Sequence, residues 1–455
     1  MRRVAALLLA LSWTLPARAA EGEDRFFFGS YGRVGSSIDP STGGVGQRPT
    51  VVPFAPRLTE GNYLELDFNY WAWRGREAQV ITTLTMAFGD RFFHFDGEWD
   101  SDLTLRQAFV EASKLFETPL YVWIGSRMDR GDDIYLFDVW PLDDLNTFGA
   151  TIGWRGARLD ASLHVGLNRL DSPYQVHDVA VPANDFGAEQ VTVLDRQRRV
   201  IAARVEHRYG GEDGALGQKV RLYGELHHLP EGERPLDASY SETEPLPDDL
   251  GFMIGAQYGL WNFLGSGRNH VNVWARYAGG LAVYDELGVP MSVNTDRRAV
   301  DAREYRLAVS GNVELSRLAV MFGGYARFFF DADDQEEDFD DKQQFAFAVR
   351  PMLRYGVFTP GVEASVQASR PNGLNPRTLS QDVARVTQLA LVPALSFGDD
   401  PGSYTRPQLR FIYAVSLLNQ AALDLYAEED PRSTEDVVHF VGVRAEWWFG
   451  RGGGY

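Results

Sequence analysis

The sequence contains no cysteine among its 455 residues, which excludes a disulfide framework, a thiolate metal site and cysteine-dependent catalysis. Basic residues are also outnumbered: 44 lysines and arginines stand against 63 aspartates and glutamates, a formal net charge of −19 at pH 7. A nucleic-acid partner requires a basic surface, so we expect none. No P-loop, zinc-peptidase or serine-hydrolase motif occurs, and the histidines lack partners at metal-ligand spacing. The sequence therefore predicts no catalytic residue, no metal site and no cofactor.

Long apolar runs are missing as well. Beyond the N-terminus, no window of about 18 uncharged apolar residues occurs, which excludes membrane-spanning helices. One short apolar run, residues 4–11, follows Arg2 and Arg3 and precedes Ala17 and Ala19, which have the small-x-small spacing of a cleavage site. We therefore predict that residues 1–20 are a signal peptide for export. A buried N-terminal helix is the alternative.

The sequence is rich in segments where apolar and polar side chains alternate. Leu64, Leu66 and Phe68 alternate with Glu65 and Asp67, which is the period of a two-faced strand rather than of a helix. The same pattern recurs in residues 159–167, 219–226, 271–277, 362–368 and 441–449. Glycine, proline, asparagine or aspartate bounds each run. Only residues 382–397 fit a helix, and they can also be read as two strands.

Two-faced strands fit either a soluble β-sandwich or an outer-membrane β-barrel, and three features favour the barrel. Charged residues occupy the polar face of many separate strands, and runs of about ten residues are long enough to cross the apolar part of an outer membrane at a tilt. The final run, residues 441–449, is amphipathic and rich in aromatic rings. At roughly 24 residues per strand and connection, residues 21–455 predict an all-β, antiparallel transmembrane barrel of about 18 strands with an aqueous lumen.

Charges of both signs and tryptophans are interleaved in residues 99–144. Three arginines (Arg106, Arg127 and Arg130) lie near four aspartates (Asp129, Asp132, Asp133 and Asp138), with Trp99, Trp123 and Trp140 among them. Such a mixture suits sugars, because their CH faces stack on aromatic rings and their hydroxyls pair with guanidinium and carboxylate groups. A surface salt-bridge cluster is the alternative interpretation.

Several segments resemble the maltoporin-type (LamB-type) sugar porins. The opening G-S-Y-G-R-V-G (residues 29–35) and R-L-T-E-G-N-Y-L-E-L (residues 57–66) are similar to that family's first two strands. The stretch G-S-R-M-D-R-G-D-D-I-Y-L-F-D-V-W (residues 125–140) looks like its inward-folded third loop, which places a constriction loop at about residues 126–146. V-R-P-M (349–352) and S-Y-T-R-P-Q-L-R (403–410) resemble later strands, and E-W-W-F (446–449) resembles the closing strand.

This resemblance implies an 18-stranded barrel, normally a homotrimer, in which an aromatic slide and a track of polar groups guide oligosaccharides. Trp99 would reach over from a neighbouring subunit. Slide or adjoining aromatic positions fall on Tyr31, Tyr63, Trp99, Trp140 and Trp448. Track and constriction positions fall on Arg33, Arg57, Glu65, Arg106, Arg130, Asp132, Asp133 and Asp138. Two slide positions lack rings, because Gln344 and Ile254 stand where the family carries them.

The hypothesis is therefore a passive sugar channel, located in the outer membrane of a Gram-negative-type bacterium and embedded in its lipid. A porin for another small solute, or a general diffusion porin, is the first alternative. An outer-membrane enzyme or adhesin barrel and a soluble secreted lectin are weaker ones. We expect the acidic run of residues 331–341 to be a solvated extracellular loop, with cation capture as the alternative.

Overall fold

The computed structural model describes residues 25–89, 102–182, 187–236, 241–290, 293–333, 341–370 and 373–450. Antiparallel strands dominate this part of the chain, and each barrel strand pairs with the next one along the sequence. The barrel strands are β1 (Phe26–Ile38), β2 (Tyr63–Arg74), β3 (Gln79–Gly89), β4 (Asp102–Leu115), β5 (Leu120–Ser126), β6 (Phe148–Arg155), β7 (Leu159–Asn168), β8 (Arg198–Gly210), β9 (Gly217–Leu229), β10 (Asp249–Trp261), β11 (His270–Gly280), β12 (Arg303–Glu314), β13 (Leu318–Phe330), β14 (Lys342–Leu353), β15 (Gly361–Arg370), β16 (Ala384–Val392, continued by Ala394–Ser396), β17 (Gln408–Leu418) and β18 (Val437–Phe449).

The sheet closes on itself because β18 pairs with both β17 and β1. Across the closing pair, Tyr31 lies opposite Trp448 and Arg33 lies opposite Glu446. Closure removes the free edges that an open sheet would present to lipid. The predicted all-β antiparallel barrel of 18 strands is confirmed.

Three sequence assignments are corrected. A helix over residues 382–397 is wrong, since both parts of β16 pair with β17 and Pro393, which would break a helix, separates them. Arg57 does not lie on the second strand, which begins only at Tyr63; it lies in a 3₁₀ turn (Arg57–Thr59). Likewise, residues 403–406 precede β17 and form part of a connection.

The two faces of the wall differ in polarity as the alternation predicts. On β2, Glu65, Asp67 and Asn69 are buried inside the barrel. Apolar side chains are exposed on the outside, for example Leu222 and Leu307, each 57% exposed. An outer surface this apolar suits acyl chains and not water, so the soluble sandwich alternative is wrong.

The two ends of the barrel also differ. Short turns such as residues 75–78 and 156–158 lie at the end where β1 begins and β18 ends, and long connections lie at the other. In outer-membrane barrels the short turns face the periplasm and the long loops face the exterior. Among the described residues, no helix has both the length and the apolar character needed to cross a bilayer.

The connections contain a few short elements of their own. Helical turns comprise α1 (Gln420–Leu423) and the 3₁₀ segments Arg57–Thr59, Glu212–Gly214, Phe263–Gly265, Leu281–Tyr284 and Pro431–Thr434. Three short strand pairs join Val176–Pro182 with Ala188–Leu194, Gly232–Pro235 with Thr243–Leu246, and Asp129–Arg130 with Asp144–Leu145.

The connection between β5 and β6, residues 127–147, folds into the barrel and is called the lumen loop below. Its apolar residues Ile134, Phe137 and Leu142 are buried in a cluster with Met253 and Tyr325 of the wall. Glycine at the contact points allows this approach: a Cβ on Gly323 would lie 2.3 Å from Ile134 Cγ2, and one on Gly255 would lie 2.3 Å from Leu142 Cδ1. The loop thereby fills the side of the lumen near β10–β14. A cavity of about 510 Å³, lined largely by residues of β2–β4 and of the lumen loop, remains on the other side.

Candidate functional site

Rings and guanidinium groups alternate along the lumen face of β1 and β2. The Arg33 guanidinium lies 5.1 Å from the centre of the Tyr63 ring, and the rings of Tyr63 and Tyr31 are 5.9 Å apart. Arg106 on β4 donates to the Tyr63 hydroxyl and to Glu65, and the Tyr63 hydroxyl donates to Glu65 at 2.5 Å. Five sequence-predicted residues are thus brought together on neighbouring strands.

Glu446 on β18 is the centre of a second group. Its carboxylate, 2% exposed, accepts hydrogen bonds from the Tyr135 hydroxyl at 2.7 Å, from Arg406 at 2.8 Å and from Arg410 at 2.5 Å. The Arg406 guanidinium in turn lies 4.3 Å from the centre of the Trp448 ring, and Tyr135 meets that ring edge-on at 6.1 Å. The predicted slide residue Trp448 therefore lies beside a buried, fully occupied carboxylate.

Aspartates of the lumen loop connect these groups to the wall. Asp138 lies 3.5 Å from both Arg33 and Arg57, with a backbone φ of +54° that turns its side chain toward them. Burial alone would raise the pKa of Asp138, but the two guanidinium groups outweigh it and lower that pKa. The loop acid therefore stays ionised between two arginines of the predicted track.

Asp132 makes the corresponding contact on the far wall. Its carboxylate lies 2.5 Å from the Lys219 ammonium and 3.6 Å from the Arg221 guanidinium. Burial opposes ionisation, yet these cations lower the pKa of Asp132 to about 2. The lumen loop is thus fixed to opposite sides of the barrel by charge pairs.

The predicted rings differ in how much of their surface is free. Tyr31 is 3% exposed, and Arg57 donates to its hydroxyl. Trp140 is 7% exposed because the Arg130 guanidinium lies 4.0 Å from its ring centre. Tyr63 and Trp448 are only half-buried. Tyr63 and Trp448 therefore have more exposed surface than Tyr31 and Trp140, although Arg33 and Arg406 lie over part of their rings.

Two further ring residues of this group, Tyr135 and Tyr404, are not indicated by the sequence pattern. Tyr135 belongs to the lumen loop, and Tyr404 belongs to the connection between β16 and β17, residues 397–407, called the mouth turn below. Their rings meet edge-on with centres 5.5 Å apart, and Arg406 donates to the Tyr135 hydroxyl. Both lay inside stretches that resemble the family, but only the course of the two connections brings them together.

The mouth turn reaches from β17 to the wall at β11 and β12. Its Ser403 N–H donates to Glu314 at 2.9 Å, and the Asp400 carboxylate lies 2.9 Å from the Arg268 guanidinium. His270 at the start of β11 lies 5.8 Å from the Tyr404 ring, measured between ring centres. This connection therefore narrows the end of the lumen at which the short turns lie.

The two slide positions that lack rings, Gln344 and Ile254, lack them for different reasons. Gln344 faces the lumen, where it accepts a hydrogen bond from Arg327 at 3.4 Å. Ile254 is 57% exposed on the outer face, so the ungapped alignment shifts its strand by one residue and Met253 faces inward instead. Trp99 lies outside the described residues.

Asp133 of the lumen loop is expected to make ion selectivity depend on pH. Burial, together with the charges of Asp138 and Asp132, raises the pKa of Asp133 to about 7 against the opposing effect of Arg57. A carboxyl group is ionised above its pKa, so lowering the pH through about 7 removes one negative charge from the lumen. We expect the preference for cations over anions to fall in that range, as measured by reversal potentials across a salt gradient.

Two variants distinguish the titration of Asp133 from that of other groups. Asp133→Asn should diminish the change near pH 7, whereas Asp132→Asn should lower cation preference at every pH from 5 to 9 and move the change to lower pH, because Asp132 has a pKa of about 2 and its charge raises the pKa of Asp133. Asp143, whose pKa burial raises to about 6, should contribute a separate change at lower pH. A step that persists unchanged in Asp133→Asn would show that another group titrates.

Comparison with known proteins places the sequence in a family. The sequence profile of the LamB porin family matches residues 26–449. No curated protein sequence gives a significant match. Similar solved structures include the outer-membrane channel DcaP of Acinetobacter baumannii, at 11% identity and a TM-score of 0.45 over 95% of this chain and 99% of that one. Pseudomonas aeruginosa OccD3 gives 10% identity and a TM-score of 0.44 over 97% of both chains.

A further similar structure is Pseudomonas aeruginosa OccK2 in complex with glucuronate, at 10% identity and a TM-score of 0.41 over 93% of this chain and 98% of that one. Identities and scores this low carry no conclusion about transported solutes. The family match covers nearly the whole barrel and indicates an outer-membrane channel rather than an enzyme. The chain belongs to the LamB porin family.

Proposed function

We propose that this protein is a passive, sugar-selective channel of the outer membrane. The observation that carries the proposal is the alternation of rings and guanidinium groups at the lumen wall where β18, β1 and β2 adjoin. Tyr63 and Trp448 each present a half-buried ring next to an arginine, at 5.1 Å from Arg33 and 4.3 Å from Arg406 respectively. A sugar can stack its CH face on such a ring while its hydroxyls reach the neighbouring charges.

Binding along this wall must be weak for the sugar to leave. One or two ring contacts contribute about 0.5–1.5 kcal/mol each, and a few hydrogen bonds contribute about 0.5–1.5 kcal/mol net each. Together these little exceed the cost of immobilising the sugar. Millimolar affinity, about −4 kcal/mol, is the resulting scale. Sites of nearly equal depth then let a chain of sugar units advance without a trap.

The polar groups act as exchangeable partners. In the absence of sugar, Arg106 is paired with Glu65, and Arg33 and Arg57 are paired with Asp138, so these charges compensate one another. Sugar hydroxyls can replace one such contact at a time. In this proposal Arg130, Asp132 and Asp133 hold the lumen loop in place as the constriction, residues 126–146, and Arg130 covers Trp140.

The same proposal extends to export, the extent of the barrel domain and the number of copies. Residues 1–20 direct export to the periplasm, and residues 21–455 form the barrel domain. Three copies associate, with Trp99 of one copy reaching toward the lumen of the next. Sucrose-gradient fractionation of membranes and cross-linking of the purified protein test location and copy number.

Ring substitutions test the sugar path directly. Tyr63→Ala and Trp448→Ala should each weaken the block of ion current by oligosaccharides about threefold to tenfold, which corresponds to loss of roughly one ring contact. Small-ion conductance should stay equal or rise because the lumen widens. The measurement is a titration of maltohexaose against single-channel current in a planar bilayer.

Trp154→Ala is the matched control, because Trp154 lies on the outer face of β6 and is 41% exposed there. It should leave the block unchanged. Unchanged block in both lumen variants would reject the assignment of these rings.

A channel for a different small solute is the second candidate. It is favoured by the missing ring at Gln344 and by the three arginines that surround Glu304 on β11–β13, namely Arg276, Arg306 and Arg327. Swelling of liposomes in sugars, neutral amino acids and organic anions of matched size separates the two candidates. Faster entry of sugars supports the first, and faster entry of anions supports the second.

A further inference from the structure

A groove lies on the outer face of the barrel, at the end where the long connections are found. It spans the last residues of β9 and β11 and the first residues of β8, β10 and β12, and has a volume of about 760 Å³. Its floor is an apolar row that follows the strand register: Ile201 lies opposite Leu226, Leu226 opposite Phe252, and Phe252 opposite Gly279. Such a row fits acyl chains.

Gly279 gives the groove its depth. A Cβ at this position would lie 3.3 Å from Cε1 of Phe252, so the Phe252 ring lies against bare backbone there. Next along the row is Arg303 on β12, which lies opposite Gly279. The missing side chain therefore separates the apolar floor from a basic residue.

Basic side chains border the groove toward the exterior. Arg199 and Arg303 are exposed, and His228 lies opposite Arg199 on the next strand. Within the part of the chain that the structure describes, neither guanidinium has a hydrogen bond or ion pair. Asp301, the acidic residue of this border, accepts a hydrogen bond from the side chain of Asn294 at 2.8 Å. The border thus carries two guanidinium groups with free donors directly above an apolar surface.

This arrangement of arginines above an apolar surface suits a membrane lipid. An arginine at the membrane interface extends its apolar stem along acyl chains and places its charge at headgroup depth. There a phosphate can accept two parallel hydrogen bonds from a guanidinium, which a neutral headgroup cannot do. The outward direction of Arg199 is fixed, because Val200 beside it is fully buried on the lumen side.

We propose that this groove binds a phosphate-bearing, acylated lipid of the outer leaflet. Its acyl chains lie on Ile201, Leu226 and Phe252, and its phosphate lies between Arg199 and Arg303. The site is independent of the sugar path, because these side chains point away from the lumen.

The test uses the purified full-length barrel in detergent, titrated with bisphosphorylated lipid A and followed by native mass spectrometry. The double variant Arg199→Gln, Arg303→Gln should bind this lipid about tenfold more weakly than the wild type. Arg385→Gln is the matched control, because Arg385 is an exposed arginine at the same end of β16, away from the groove. It should bind as the wild type does, and small-ion conductance of all variants should be unchanged, which shows that they fold.

Three outcomes would overturn the proposal. Equal binding by the wild type and the double variant would show that the two arginines do not hold the phosphate. Equal binding of lipid A and of diacylglycerol, which has acyl chains but no phosphate, by the wild type would show that the groove does not select a phosphate-bearing lipid. A change in copy number of the double variant, with lipid binding unchanged, would assign the groove to contact between copies of the chain.

Discussion

Glu446→Ala is expected to destabilise the barrel by about 3 kcal/mol, because it leaves buried arginines without their shared carboxylate. Arg406 and Arg410 both donate to this side chain, and Arg57 lies 3.7 Å from it. Tyr135 would lose its acceptor as well. An uncompensated buried charge costs far more than an exposed one, so the loss should appear as a lower midpoint of unfolding in urea.

Glu212→Ala is the control for that prediction. Glu212 pairs with Arg158 at 2.7 Å, and both side chains are mostly exposed, each in its own short turn. Exposed pairs contribute about 0–1 kcal/mol, so this variant should unfold close to the wild type. Glu446→Gln, which keeps the shape and one hydrogen-bond acceptor, should lie between the two. Equal midpoints for Glu446→Ala and Glu212→Ala would show that water in the lumen replaces the carboxylate.

Shortening the mouth turn by deletion of residues 399–404 should raise small-ion conductance about twofold, because a segment that narrows the lumen is removed. The deletion removes the Asp400 contact with Arg268 and the Tyr404 ring that meets Tyr135. Sugar block should weaken at the same time, since Arg406 loses the segment that holds it beside Trp448. Single-channel recording measures both effects.

Two further variants keep this prediction testable if the deletion does not fold. Tyr404→Ala alone should raise conductance in the same direction by a smaller amount. Deletion of residues 212–214, in the exposed turn between β8 and β9, should leave conductance unchanged. Unchanged conductance in both mouth-turn variants would show that ions pass elsewhere in the lumen.

The sequence predicted the wall of the barrel well because each strand carries its own pattern. Period two assigns Tyr31, Arg33 and Glu65 to the lumen face from local sequence alone, and the structure buries or half-buries them there. The amphipathic final strand likewise identified the position of Trp448. Such assignments require no knowledge of which strands are neighbours.

Residues on connections could not be placed in the same way. Arg57 was assigned to a strand, but its N–H donates to the backbone oxygen of Leu136 in the lumen loop at 2.9 Å. Tyr135 and Tyr404 meet although hundreds of residues separate them in sequence. Contacts of this kind depend on loop paths inside the lumen, which hydrophobic periodicity does not encode. The one-residue shift at Ile254 has a different cause, because Ile254 lies on β10 and the shift arises from an alignment without gaps.

Planar-bilayer recording of the purified protein with titrated malto-oligosaccharides shows whether the half-buried rings and their arginines form a sugar path through a water-filled lumen. Such a path predicts stepwise ion conductance and a saturable block whose half-maximal concentration is about millimolar. It also predicts that the block strengthens with sugar chain length, because a longer chain contacts more of the wall. Open channels whose current stays constant at every sugar concentration would contradict it.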